Sequence, residues 1–77
     1  MRKPDEIALY SLLRERHGHK AYQHTDKFAT DIGEEIGIHP KRTYGLLVKL
    51  SDKGWWNYGV SVRTGFFEPG APDALTP

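Results

Sequence analysis

The side chains best suited to bind a ligand are concentrated between positions 39 and 49, in the sequence HPKRTYGLLVK. Lys41 and Arg42 carry donors that suit phosphate oxygens and the acceptor edge of guanine, and Lys49 suits phosphate. Tyr44 adds a ring that can stack on a sugar or a thymine methyl group and a hydroxyl that can bond a phosphate. This group of cations around one aromatic residue indicates a binding surface for a polyanion.

A helix has to position these side chains. Pro40 suits its first turn, and His39 stands at the capping position, where histidine is unusual. At 100° per residue, the stripe expected to face the core contains Thr43, Leu46, Leu47 and Leu50, whereas the opposite face contains Lys41, Tyr44, Gly45 and Val48, with Arg42 and Lys49 at its edges. Gly45 leaves this outward face bare at its centre, although a glycine costs a helix about 1 kcal/mol.

No comparable pattern indicates catalysis. No paired carboxylates occupy a plausible cleft, none of the serines has a nearby base at a useful spacing, and no glycine-rich loop precedes a helix. The histidines, His17, His19, His24 and His39, lack an acidic residue at metal-ligand spacing. We therefore expect a protein that is not an enzyme, with no metal, no cofactor and no small-molecule substrate.

Length and composition predict one small globular domain. The chain has 77 residues, 38% of them apolar and 27% charged, with a net charge of +1 and no cysteine. No apolar run approaches the roughly 18 residues of a membrane span, so we expect a cytoplasmic protein that does not contact membranes. The charge is unevenly distributed, because residues 26–38 sum to −3 and residues 39–53 sum to +3.

Two further helices are predicted before the basic one. Pro4, followed by two acids, opens a helix over about residues 5–17, and Gly18 would end it. The sequence HKAYQH could form a short strand. A second helix, capped by Thr25, would bury Phe28, Ala29, Ile32 and Ile36 and end at Gly37. Gly33 within it would allow another helix to cross closely.

The C-terminal third predicts a β-hairpin and then a tail. The sequence WWNYGVSVRTGFF is rich in β-forming residues, and it suggests strands at about 55–58 and 64–68 joined by a loop that carries Arg63. Neighbouring strand residues face opposite sides, so at most one of Trp55 and Trp56 enters the core and the other stays partly exposed. Residues 69–77 hold three prolines, and they predict a flexible tail or linker outside the domain of residues 1–68.

The order of helix, short strand, helix, turn, helix and hairpin resembles the winged helix-turn-helix family of DNA-binding domains. The sequence DIGEEIGI is similar to the first helix and turn of that motif, and HPKRTYGLLVKLSDKGWW is similar to its recognition helix leading into the wing. The resemblance covers about residues 5–68. It implies an α+β, mostly helical fold with three helices and a C-terminal β-hairpin wing.

The resemblance also implies a function in binding double-stranded DNA, with the third helix in the major groove and the wing beside it. The site residues implied are His39, Lys41, Arg42, Tyr44, Gly45, Val48, Lys49, Arg63 and Thr64. Transcriptional regulation, or recruitment of replication or recombination machinery, would be the biological role, and the protein would associate with the nucleoid when bound.

Two other functions remain open at this stage. The modest net charge and the single cation of the wing favour a winged-helix module that binds protein, or a homodimer, through exposed aromatic residues such as Tyr44 and one of the tryptophans. The aromatic residues of the hairpin could instead stack on single-stranded nucleic acid.

Overall fold

The computed structural model describes residues 4–17, 27–59 and 61–75. Three helices come first: α1 (Pro4–His17), α2 (Ala29–Ile32), which continues as one turn of 3-10 helix (Gly33–Ile36), and α3 (Pro40–Asp52). Two strands, β1 (Trp56–Tyr58) and β2 (Gly65–Phe67), follow them as an antiparallel hairpin. The chain is therefore α+β and mostly helical, as predicted.

The core lies between the helices and one face of the hairpin. The four predicted stripe residues of α3 are all buried. Tyr10 of α1 was not predicted to be buried, yet it is fully covered and its ring meets Phe67 edge to face, with centroids 5.4 Å apart. The apolar core consists of Leu9, Tyr10, Leu13, Ala29, Ile32, Ile38, Leu46, Leu47, Leu50, Trp56, Val62, Phe67, Ala71 and Leu75.

The second helix differs from its prediction at its start and in the geometry of its last turn. It begins at Ala29, so Phe28 stands at the capping position and is only half-buried. Ile36, predicted to be buried, is 45% exposed because the helix tightens to 3-10 geometry, which rotates its last turn away from the expected face. The predicted end at Gly37 is confirmed, with this residue in the left-handed conformation (φ 79°).

Gly33 lies where α1 and α3 approach the end of α2. A Cβ atom at this position would overlap the hydroxyl of Thr43 and come within 3.1 Å of a methyl group of Leu9. The prediction that Gly33 allows a close crossing is thus confirmed. The predicted cap of α2 at Thr25 is wrong, since Phe28 stands at the capping position. The predicted strand around residues 19–24 and the stop at Gly18 lie outside the described residues.

The hairpin has the predicted position and is anchored by Trp56. The register of the two strands pairs Trp56 with Phe67 and Tyr58 with Gly65. The Trp56 indole is buried, donates a hydrogen bond of 2.9 Å to the Val62 carbonyl and meets the Phe67 ring edge to face. Trp55 is half-buried, which confirms that the two tryptophans divide between the faces of the strand.

The segment after the hairpin is packed against α1, contrary to the prediction of a tail outside the domain. It forms no helix or strand within residues 69–75, but Ala71 and Leu75 are buried in the core. The Tyr10 hydroxyl donates a hydrogen bond of 2.6 Å to the Pro72 carbonyl, and burial raises the pKa of this phenol. Arg14 pairs with Asp73 at 3.1 Å. The packed unit therefore extends at least to Leu75.

None of the described helices combines the length and the apolar character that crossing a membrane requires.

Candidate nucleic-acid interface

The start of α3 is capped within the chain. The His39 ring accepts a hydrogen bond at Nδ1 from the amide of Lys41 (3.1 Å), as its predicted capping role requires. The amides of Arg42 and Thr43 both donate to the His39 carbonyl, and Pro40 has no N–H. The first-turn amides are thus already bonded, so any anion at this end of α3 would depend on side chains. In the neutral ring, the proton lies on Nε2, which leaves this exposed imidazole a donor.

The outward face of α3 is the one that the sequence predicts. Lys41, Tyr44, Gly45 and Val48 are all exposed, with Tyr44 at 49% and Val48 at 37%. Nothing approaches within 4 Å of the position where a Gly45 Cβ would stand. The bare centre of the helix therefore remains open and is not covered by another described segment.

One flank of this face meets the hairpin loop. Lys41, Tyr44 and Arg63 line a shallow cavity of about 280 Å³, together with Thr30, Asp31 and Pro40. Arg63 comes from a distant part of the sequence, so only the fold brings it beside the start of α3. We call Lys41, Tyr44 and Arg63 the wing-side patch.

The hairpin loop is attached to α2, which explains how Arg63 reaches this patch. The Arg63 carbonyl accepts a hydrogen bond of 3.1 Å from the Ala29 amide, and its guanidinium lies 4.6 Å from the centre of the Phe28 ring. The Thr64 hydroxyl donates to the Ser61 carbonyl at 3.1 Å within the loop turn. Arg63 is thus held over an aromatic ring and remains exposed, while Thr64 is half-buried and helps to shape the loop.

The other flank of the face meets the first turn of α1. Arg42 pairs with Asp5 at 2.6 Å, and the Lys49 ammonium lies 3.9 Å from a carboxylate oxygen of Glu6. Glu6, Arg42, Gly45 and Lys49 line a cavity of about 250 Å³ with Leu9 and Leu46. We call Arg42 and Lys49 the α1-side cations. Their charges, unlike that of Lys41, are balanced within the chain.

The expected aromatic anchor of the hairpin is partly covered. The Lys53 ammonium lies 4.8 Å above the Trp55 ring, and Trp55 packs against the edge of the core. The large apolar side chains that stay exposed among the described residues are Ile36, Tyr44, Val48 and Tyr58. An apolar contact surface on this protein would therefore centre on Tyr44 and Val48 rather than on a tryptophan.

Sequence reasoning missed the acidic partners of the α1-side cations. Asp5 and Glu6 were interpreted only as residues that favour a helix N-terminus, a role that needs no tertiary contact. The charges themselves are visible in the sequence, but their proximity to Arg42 and Lys49 depends on how α1 crosses α3. Asp31, beside the wing-side patch, was missed for the same reason.

No cluster of histidine and acidic residues that could hold a metal ion occurs within the described part of the chain, which includes His17 and His39 but not His19 or His24. His17 is buried, and its ring meets Trp56 edge to face.

Comparison with known proteins gave no match to this chain, whether the chain was compared with protein-family models, with curated proteins or with solved structures.

Proposed function

We propose that this protein is a winged helix-turn-helix domain that binds double-stranded DNA, with α3 in the major groove and the hairpin loop on the adjacent backbone. The order of three helices followed by an antiparallel hairpin supports this proposal. The proposed biological role is transcriptional regulation or the recruitment of replication or recombination proteins to DNA, in the cytoplasm and on the nucleoid.

The observation that carries the proposal is the convergence of Lys41 and Arg63 beside Tyr44. These two cations come from different elements and line one shallow cavity with an exposed aromatic ring between the helix and the loop. Neither has a salt bridge within the described residues. Two cations that line one cavity with an aromatic residue suit a phosphodiester backbone, which is a regular line of negative charge.

The shape of α3 supports the same partner. A recognition helix approaches base edges with the side chains of its first turns, which here are Lys41 and Tyr44. Gly45 follows them with no side chain, so the helix axis could lie closer to the bases than at a larger residue. Val48, one turn later, offers an apolar surface for a thymine methyl group.

The decisive experiment is selection from a random pool of duplexes followed by affinity measurement on the selected site. We expect Lys41→Gln and Arg63→Gln each to weaken binding. The loss is about 1 to 3 kcal/mol where the residue reads a base. A residue that contacts only phosphate weakens binding to all duplexes alike, and its loss lowers the salt slope by about 1.

The matched control is Lys53→Gln, which removes the same charge at the far end of α3. Its affinity should remain within about threefold of the wild type, given that this lysine lies several helical turns from the wing-side patch. Equal losses of DNA affinity in all three variants would mean that net charge, and not the wing-side patch, accounts for them. A pool without enrichment would reject DNA binding.

The second candidate is a module that binds another protein, or a second copy of this chain, through α3. The pairing of Arg42 and Lys49 with acids favours it, because it leaves the exposed Tyr44 and Val48 on a less charged surface. Salt separates the two functions: DNA affinity should fall steeply between 50 and 200 mM salt, whereas an apolar protein interface should be almost unchanged.

A further inference from the structure

The α1-side cations are expected to contact DNA, yet both are already paired with carboxylates. Asp5 and Glu6 are neighbours in the first turn of α1, and they contact cations that lie two helical turns apart on α3. Glu6, Arg42 and Lys49 line the same cavity as Gly45. The first turn of α1 thus places acids beside the helix that is proposed to enter the groove.

The pairs are placed so that a stronger anion could exchange with them. The side chains of Arg42 and Asp5 are 44% and 41% exposed, and Lys49 is 70% exposed against 24% for Glu6. Exposed ion pairs contribute little to folding stability, so breaking them does not require the domain to unfold. A phosphate could therefore take the place of each carboxylate while α1 and α3 remain packed.

We propose that Asp5 and Glu6 act as an intramolecular competitor for phosphate, which lowers the affinity of the protein for DNA of arbitrary sequence. This inference rests on the proposed function. Phosphate contacts supply the sequence-independent part of DNA binding, and this part grows with each available cation. With Arg42 and Lys49 occupied, the freely available cations of the described face are reduced to those of the wing-side patch. Stable binding then depends more on contacts with the bases.

Salt dependence gives this competitor a signature. While the two carboxylates hold Arg42 and Lys49, these cations neutralise fewer phosphates, and fewer counterions are released from the duplex. Neutral side chains at positions 5 and 6 leave both cations free to contact phosphate. The slope of log affinity against log salt should therefore steepen by up to about 2 when both acids are removed.

The test compares Asp5→Asn/Glu6→Gln with Glu15→Gln/Asp52→Asn. Both double variants add the same net charge, but Glu15 and Asp52 are exposed residues without a salt bridge in the described structure. Affinity for a duplex of scrambled sequence is measured from 50 to 200 mM salt. The first variant should bind roughly tenfold more tightly near 100 mM and with the steeper slope, and the control should change less than about threefold.

A double-mutant cycle then asks whether Asp5 acts through Arg42. The gain from Asp5→Asn should disappear in an Arg42→Gln background, since there is no longer a cation to release. If the double variant unfolds, Asp5→Asn alone still tests the inference. Thermal unfolding verifies that each variant is folded. Equal gains in test and control variants, or a gain that persists without Arg42, would overturn the inference.

The outcomes separate this inference from the proposed function. Binding that depends on Lys41 but is unchanged by Asp5→Asn/Glu6→Gln would leave the function standing and remove the competitor. Binding that appears only in Asp5→Asn/Glu6→Gln would support the competitor strongly. Absence of duplex binding in every variant would reject both.

Discussion

Two glycines of similar appearance in the sequence have opposite surroundings. Gly33 and Gly45 both lie within helical segments, where glycine lowers stability. Gly33 is buried at the meeting of three helical segments, whereas Gly45 is exposed with open space around it. Close packing explains why residue 33 is a glycine. Gly45 has no packing role in the described chain, so we infer that a glycine at this position serves binding.

Gly33→Ala should destabilise the protein by about 1 to 3 kcal/mol, because the added methyl group must displace Thr43 and Leu9 in a closely packed region. Chemical denaturation of the variant measures this change directly. Restoring space with Gly33→Ala/Thr43→Ser, which removes a methyl but keeps the hydroxyl, should recover little, since the overlap is with the hydroxyl itself. Full stability in the single variant would contradict the close crossing.

Gly45→Ala, in contrast to Gly33→Ala, should stabilise the protein. Its methyl group meets nothing within 4 Å, so the variant should gain up to about 1 kcal/mol from helix propensity. If the bare surface serves close approach to DNA, the same variant should bind the selected duplex more weakly despite its greater stability. Unfolding and binding measured on one preparation separate these effects, and unchanged affinity would remove Gly45 from the interface.

At the scale of elements, a charge cluster connects the end of α1 to the 3-10 turn. The Glu35 carboxylate accepts hydrogen bonds from Lys27 (3.1 Å) and from Arg16. The Lys27 hydrogen bond, with a further contribution from Arg16, lowers the pKa of Glu35 below its ordinary value near 4.5. Because the folded state favours the ionised carboxylate, this interaction stabilises the fold above the ordinary pKa and is lost as pH falls through the lowered pKa.

Glu35→Gln should therefore lower the melting temperature slightly at pH 7 and make less difference at pH 3, where a larger fraction of the wild-type carboxyl is protonated. Thermal unfolding at the two pH values measures the effect. Glu34→Gln is the control, since Glu34 has no ion pair among the described residues and should give a small change at both pH values. A Glu35 effect that persists undiminished at pH 3 would show that the carboxylate charge is not its cause.

At the scale of the whole molecule, the segment after the hairpin completes the core. Leu75 is 6% exposed although two prolines and one glycine lie between it and the hairpin. Pro72 and Asp73 contact Tyr10 and Arg14 of α1, at the other end of the sequence, and Leu75 belongs to the same buried cluster as Leu9 and Leu13. Polar contacts and hydrophobic burial therefore hold together parts of the chain that are far apart in sequence.

Leu75→Ala should cost about 2 kcal/mol, the lower range for a buried leucine, since a segment without helix or strand can partly collapse into the space. For a domain of this size, that corresponds to a fall in melting temperature of roughly 8 to 16 °C. Ala74→Ser, at an exposed neighbouring position, should leave the melting temperature almost unchanged. A loss below about 0.5 kcal/mol for Leu75→Ala would mean that this segment is dispensable for the core.

Local signals predicted the elements well. Pro40 and the capping His39 locate the start of α3, and its leucines repeat at helical spacing, so its buried and exposed faces follow from the sequence alone. The prediction that Phe28 and Ile36 are buried on one helix face was wrong. Their apolar character fits a longer regular helix and does not reveal the tightened geometry after Ile32.

The sequence by itself determined the three helices and the hairpin in the described chain, the buried stripe of α3 and the exposed, bare centre of its outward face. These depend on short-range periodicity and on capping, which act over a few residues. Only the tertiary structure decided that Arg63 joins Lys41, that Asp5 and Glu6 neutralise Arg42 and Lys49, and that Leu75 enters the core. The shared cavity and the ion pairs join residues 22 to 43 positions apart, and the Tyr10–Pro72 hydrogen bond beside Leu75 spans 62 positions. These contacts depend on how whole elements pack, which no local pattern specifies.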